Sequence, residues 1–330
     1  MLVGGVASRM ISGANNAFDA SPTATKFSSM GTSTSGGGQK FVPVGFNSYW
    51  LGLTEEYNCP PPSQIKEMFQ LALKMKATVI RSHTLGISSG SQNALLQNRN
   101  KGNNLAWLPI DYAFYHAGIT GVKLTCPLLD SYAWYNGSYG DFCDSKPDFF
   151  TDPTAIANFK TFISEWLQHT NSFTGTQIKN DPAVAFIELG NELGNYRADA
   201  TSTAIPPESW IRDIMQYIKS IDSNHLVMDR TDECLGSSES NDFAVSELDC
   251  YSTHFYSIDY SRLNSVSQHA KSHGKPFVIG EYASTFDQSF FDAIDRSENV
   301  QGTIFWGMYP NANGIPGSTP VTHNDGYTLN

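Results

Sequence analysis

The chain has 330 residues, enough for a single (β/α)8 barrel of roughly 250 residues plus insertions. Its 21 basic against 32 acidic residues give a net charge of −11, which repels phosphate backbones and anionic lipid and so argues against nucleic acid and membrane surfaces as partners. Only 16% of residues are charged while 12% are aromatic, which leaves a surface of Ser, Thr, Asn, Gly and rings suited to an extracellular protein and a neutral, sugar-like partner.

No run approaches the ~18 consecutive apolar residues of a membrane span. The opening Met1-Leu-Val-Gly-Gly-Val-Ala-Ser-Arg-Met10 lacks the basic start and sustained apolar stretch of a secretory signal, so the expectation is a secreted chain with its leader removed. Leu2, Val3, Val6, Met10 and Ile11 recur at near-helical spacing, which fits a docked helix over residues 1–12 as well as a loose end. Residues 19–40 are rich in Ser, Thr and Gly, including Ser33-Thr-Ser-Gly-Gly-Gly38, and read as the turns of a hairpin closing a barrel floor. Residues 1–38 thus make an N-terminal segment and hairpin, and 39–330 the main domain.

Short apolar runs then alternate with helical patterns, the mark of parallel strands covered by crossover helices. The expected strands are Phe41–Asn47, Thr78–His83, Val122–Leu128, Val184–Gly190, Leu226–Arg230, Tyr251–Phe255, Phe277–Gly280 and Thr303–Trp306. Between the first two, Ser63 caps a helix whose apolar face is Ile65, Met68, Phe69, Ala72 and Leu73. Thr151-Asp-Pro153 and Pro206-Pro-Glu-Ser-Trp210 open two more helices. Segments 84–106 and 130–150 read as long loops over the C-terminal ends of the strands, where insertions shape binding. Five cysteines allow at most two disulfides, with Cys126 the expected free thiol in its apolar run. Asn136-Gly-Ser138 is a glycosylation sequon, a pattern common by chance.

Glu192 and Glu281 stand at or just beyond two of these strand ends. In a barrel such ends converge on one pocket, and two facing carboxyls, one protonated and one ionised, are what glycosidic cleavage requires. Arg81 can hold a neighbouring carboxylate ionised, Asn191 can contact a sugar hydroxyl, and His254 and Tyr256 share a strand face from which to tune the pair. Taken singly each has a plainer reading: Asn-Glu opens helices, Arg81 serves a structural ion pair, His254 is a bonded core histidine. Glu188 falls on the same strand face as Glu192 and reads as a buried interior residue in need of partners. Trp306, at the end of the last strand, suits stacking under a pyranose ring. No His-x-His occurs and no Cys pair has zinc spacing, so neither metal nor cofactor is expected.

Arg81, Asn191-Glu192, His254, Tyr256, Glu281 and Trp306 together resemble the catalytic set of glycoside hydrolase family 5, whose barrels hydrolyse β-glycosides with retention. Gly45-Phe-Asn-Ser-Tyr-Trp-Leu-Gly52, Asp148-Phe-Phe-Thr151, Glu188-Leu-Gly-Asn-Glu192, Ile221-Asp-Ser-Asn-His-Leu-Val227 and His323-Asn-Asp-Gly-Tyr327 resemble fungal-type endo-β-1,4-mannanases. The resemblance covers about residues 40–330. It implies a (β/α)8 TIM barrel with Glu192 as acid/base, Glu281 as nucleophile, Arg81 and Tyr256 as its supports, Asn191 as the 2-hydroxyl contact, His254 as a tuner and Trp306 as the platform under the sugar. His83, Tyr49, Trp50 and Trp134 complete the implied substrate contacts. The implied partner is a polysaccharide or oligosaccharide, met by a monomer. Three features depart from the pattern: His83 and Thr84 stand where an aromatic and a glycine are usual, Leu193 replaces a proline, and the chain stops at Asn330, where a last barrel helix is expected. Exo-β-mannosidase and β-1,4-glucanase share the same catalytic set and are the alternatives, with a non-catalytic carbohydrate-binding barrel behind them.

Overall fold

In the computed structural model all eight apolar runs form parallel strands of one sheet. The structure describes residues 39–98, 101–132, 137–193, 205–228, 247–283, 288–297 and 299–309, with short pieces at 18–20, 27–28, 245, 325 and 327–329. Two short strands, β1 (Phe18–Ala20) and β2 (Phe27–Ser28), pair antiparallel as the expected hairpin, and β3 (Gln39–Phe41) pairs along β1. The barrel strands follow as β4 (Val44–Asn47), β5 (Val79–Arg81), β8 (Lys123–Pro127), β9 (Val184–Glu188), β10 (Leu226–Met228), β11 (Tyr251–Phe255), β12 (Phe277–Tyr282) and β13 (Val300–Phe305). A small antiparallel pair, β6 (Leu96–Asn98) and β7 (Lys101–Gly102), lies in the loop after β5.

The sheet order is β10-β9-β8-β5-β4-β13-β12-β11. Among the described residues β10 and β11 meet through one bridge, Met228 to Cys250. Beside it Asp249 accepts from Val227 N through its carboxylate at 2.8 Å and donates its own N–H to Val227 O at 3.0 Å. Thus a side chain supplies part of the closing ladder.

Helices cover the outside: α1 (Pro62–Met75), α2 (Trp107–Thr120), α3 (Lys146–Thr151), α4 (Pro153–Gln168), α5 (Glu208–Ile221), α6 (Tyr260–Ser272) and α7 (Gln288–Arg296). Their apolar stripes bury Ile65, Phe69, Phe159, Trp166, Ile214 and Ile218 against the sheet, the non-directional contribution that drives closure. The α4 start is as expected, with the Asp152 side chain accepting from Thr154 N and Pro153 in the first turn. At α1 the expected Ser63 cap is replaced by proline chemistry. The helix begins at Pro62, which needs no N–H partner there, and no side chain caps it.

Inside the barrel Val79, Ala185, Phe186, Leu226, Met228, Cys250, Val278 and Ile304 form a separate apolar cluster, against which Phe41 of β3 packs. The run expected as one strand from Phe41 to Asn47 therefore divides between two sheets, its first residue serving the barrel floor. Of the five cysteines, Cys59, Cys126, Cys143 and Cys250 are free thiols, the last three buried. The disulfides that the cysteine count allows are thus not formed among these four. Among the described residues no helix is long and apolar enough to cross a membrane. Residues 1–12, Trp134, Asn136 and the segment 310–324 lie outside the described residues.

Candidate active site

One guanidinium gathers the site. Arg81 ends β5, is fully buried, and finds an acceptor for each of its N–H donors. Nε and Nη2 fork onto Glu188 at 2.9 and 2.7 Å, Nη1 reaches Asn47 Oδ1 at 3.0 Å and Glu281 Oε1 at 2.7 Å, and Nη2 also reaches Asn191 Oδ1 at 2.8 Å. Burial works against its charge, yet Glu188 and Glu281 outweigh burial and push the guanidinium above its ordinary range. Asn47, not among the expected site residues, donates in turn to Gly280 O and Phe305 O, both at 3.1 Å. It thereby locks β4 to the ends of β12 and β13.

Glu281 owes its position to a bulge. Thr253 pairs with Ile279 and the next residue, His254, pairs with Glu281, so Gly280 is the extra residue on β12. A Cβ at Gly280 would lie 2.6 Å from Ser252 Oγ and 3.1 Å from His254 Nε2, which is why the bulge carries a glycine. The result sets Glu281 Oε2 at 2.5 Å from the Tyr256 hydroxyl, which donates to it, and 3.4 Å from His254 Nδ1. Burial pushes the Glu281 carboxyl well above its ordinary range, and Glu192 and Asp130 push the same way, while Arg81 and Tyr256 pull it down.

Asn191 and Glu192 lie just beyond β9. Asn191 N donates to Leu129 O at 2.7 Å and extends the ladder, after which Glu192 takes a φ of 49°. That left-handed backbone costs a residue with a side chain roughly 1–2 kcal/mol, and such strain collects where geometry serves function. Glu192 Oε1 lies 2.7 Å from His254 Nδ1. At 7% exposure Glu192 is the most open of the four carboxyls gathered here, the others being Glu188, Glu281 and Asp130.

Asp130, also missed in the sequence, follows β8 and is a further buried carboxyl. Its Oδ1 accepts from Tyr132 N at 2.7 Å, and its Oδ2 accepts from Asn191 Nδ2 at 3.2 Å and lies 3.6 Å from His83 Nε2. Burial raises it well above the ordinary carboxyl range, with Glu192 adding to the rise against the Tyr132 N–H, Arg81 and Asn191. His83 stands 3.7 Å from Glu281 Oε1 as well, and burial together with Arg81 keeps its imidazole neutral.

The aromatic residues divide into those at the site and those behind it. Trp306 meets the His83 ring edge-on at 5.5 Å, and its indole N–H donates to Asp325 Oδ2 at 2.5 Å. Burial opposes the Asp325 charge, but hydrogen bonds from Tyr327 N, Trp306 and Thr328 hold the carboxyl below its ordinary range. Tyr49 stacks on Trp306 at 5.6 Å and its hydroxyl bonds that of Tyr309, so it backs one face of the indole. Trp50 stacks on Tyr309 at 5.7 Å and donates to Met308 O at 3.3 Å, which places it behind that ring. Thr84 pins the turn that carries both: its Oγ1 accepts from Gly52 N and Leu53 N and donates to Tyr49 O.

Glu192, His254 and Glu281 each present a ligand atom, all within 4.8 Å of one another. A cation among them would sit beside Arg81, whose positive charge already contacts Glu281 at 2.7 Å, and like charges repel strongly where water is excluded.

A (β/α)8 barrel with two carboxyls facing each other at the C-terminal ends of its strands defines a glycosidase-type centre. Residues 112–270 match the family described as GH family 5 beta-mannosidase-like. "Mannan endo-1,4-beta-mannosidase 3" of Arabidopsis thaliana is 24% identical, over 82% of this chain and 78% of that protein. "Mannan endo-1,4-beta-mannosidase 7" of the same plant is 31% identical over 63% of this chain, which spans about half (49%) of that relative's length. The solved endo-1,4-beta-mannanase of Rhizomucor miehei superposes with a TM-score of 0.69 over 94% of both chains at 23% identity, a likeness of fold. In sequence and in fold the chain is similar to the family 5 mannosidases.

Proposed function

We propose that the chain is an endo-β-1,4-mannanase acting by double displacement, with Glu281 as nucleophile and Glu192 as acid and then base. The carboxyl spacing carries the reading. One oxygen of Glu192 and one of Glu281 lie within 4.8 Å of each other, which supports the close pair of a retaining enzyme, about 5–5.5 Å apart, over the ~6.5–9.5 Å of an inverting pair. Two carboxyls so close share one proton. Arg81 and Tyr256 both donate to Glu281, so the negative charge stays there and the proton goes to Glu192. With Nδ1 protonated, His254 donates to Glu192 Oε1 and leaves Oε2 to carry the acid proton.

In the first half-reaction Glu281 attacks the anomeric carbon while Glu192 protonates the departing oxygen, giving a covalent glycosyl-enzyme. In the second, Glu192 takes a proton from water, the water oxygen displaces Glu281, and the product keeps its starting configuration. Trp306 stacks beneath the ring and Asn191 holds its 2-hydroxyl, a bond that strengthens as positive charge develops at the adjacent carbon. The low charge and aromatic surface support a neutral polymer as substrate, met outside the cell.

Digestion of mannohexaose tests the endo reading: mannobiose, mannotriose and mannotetraose are expected together from the first time points. Stepwise release of mannose would reassign the chain as an exo-mannosidase, and preference for cellohexaose as a glucanase. Because no step needs a metal, prolonged EDTA treatment should leave turnover within twofold of the untreated enzyme. Loss on chelation with recovery on added zinc would overturn the mechanism.

A further inference from the structure

We infer that Asp130 is a positioning residue that sets the amide of Asn191 for the sugar 2-hydroxyl, an inference that rests on the reading above. The double displacement makes no use of Asp130, yet the fold places it on the Asn191 side chain. The backbones are adjacent, with Asp130 bridged to Asn191 and Ser131 N donating to Asn191 O at 3.0 Å. Arg81 Nη2 donates to Asn191 Oδ1 at 2.8 Å and Asp130 Oδ2 accepts from Nδ2 at 3.2 Å. An amide gripped by a donor at its oxygen and an acceptor at its nitrogen is held against flipping, with His83 bonded beside it, and it has a second N–H to offer a sugar hydroxyl. That donor is the one the 2-hydroxyl requires.

The residue type follows from the geometry. Asp130 accepts at both oxygens, from Tyr132 N at 2.7 Å and from Asn191, which a carboxyl can do and an amide cannot. An asparagine there must turn its NH2 toward one of these donors. It then loses either the turn at Tyr132 or the grip on Asn191. A proton on the carboxyl has its own place, in the 3.6 Å gap between Oδ2 and the neutral His83 ring, and displaces neither N–H.

The experiment compares an aryl β-mannobioside with its analogue lacking the 2-hydroxyl on the ring at the scissile bond. Asp130→Asn should lower kcat on the parent by roughly tenfold, the worth of one well-set hydrogen bond, with KM little changed, and should cost less than threefold on the analogue. Added to Asn191→Ala, it should cost nothing further. Equal losses on both substrates, or losses that multiply with Asn191→Ala, would overturn the inference. Should Asp130→Asn not fold, Asp130→Ser, whose shorter side chain leaves space for water at both donors, is read by the same comparison. A wild type that leaves the mannobioside intact overturns the proposed function together with this inference. An active wild type with equal losses overturns this inference alone.

Discussion

Glu281→Ala and Glu192→Ala are each expected to lose roughly four orders of magnitude in kcat on mannan, and azide should separate them. On an aryl β-mannobioside with a good leaving group, Glu192→Ala still forms the glycosyl-enzyme, because that departure needs little acid. Azide then attacks the intermediate and yields a β-mannosyl azide. In Glu281→Ala the cavity left by the carboxylate admits azide as the nucleophile, and a single displacement yields the α-azide. NMR of the anomeric proton reads the difference. Products of one configuration from both variants would overturn the assignment of roles.

Arg81→Lys should damage stability and chemistry together. Lysine keeps the charge but offers three donors from a point, where Arg81 offers a planar fork to Glu188, Asn47, Glu281 and Asn191. Glu188 is fully buried with Arg81 as its cationic partner, and a buried ion pair broken on one side typically costs about 3–5 kcal/mol, the upper bound for a lysine that keeps the charge and loses the fork. In a domain of this size that is a fall in Tm of roughly five degrees. The pH profile should move as well. Arg81 pulls the Glu281 carboxyl down against burial, so its loss raises that carboxyl further, and the acidic limb of kcat/KM shifts to higher pH. Differential scanning calorimetry and a pH–rate profile measure the two effects. A variant with wild-type Tm and an unmoved acidic limb would mean that the guanidinium organises neither carboxylate.

The strands were readable because each is a short apolar run bounded by turn residues, and the chemistry was readable where it stands at strand ends. Arg81, Asn191, Glu192, His254, Tyr256 and Glu281 all stand at or near such ends, and the fold brings the six together: Arg81 bonds Asn191 and Glu281, Tyr256 bonds Glu281, and His254 bonds Glu192 while standing 3.4 Å from Glu281. Asn47 and Asp130 were not legible, because neither has a local pattern that announces it. Asn47 bonds partners 233 and 258 residues away, and Asp130 one 61 residues away. Helix α2 escaped for a different reason: it carries exposed Leu108 and Ile119 opposite buried Ile110 and Phe114, so its apolar residues trace no stripe. Tyr49 and Trp50 show the limit of residue type as a guide. An aromatic just past a strand end reads equally as a platform or as the packing behind one, and only the stacking partners distinguish them.

Among the described residues one bridge joins β10 to β11, and the two carboxyls stand on either side of it. Glu192 hangs from β9 and Glu281 from β12, so the short way round the wall from one carboxyl to the other passes through that thin seam. What spans the gap instead are struts thrown across the mouth: Arg81, reaching from β5 to Asn191 on one side and Glu281 on the other, and His254, reaching from β11 to Glu192. The distance on which stereochemistry depends is thus gauged by side chains rather than by the ladder.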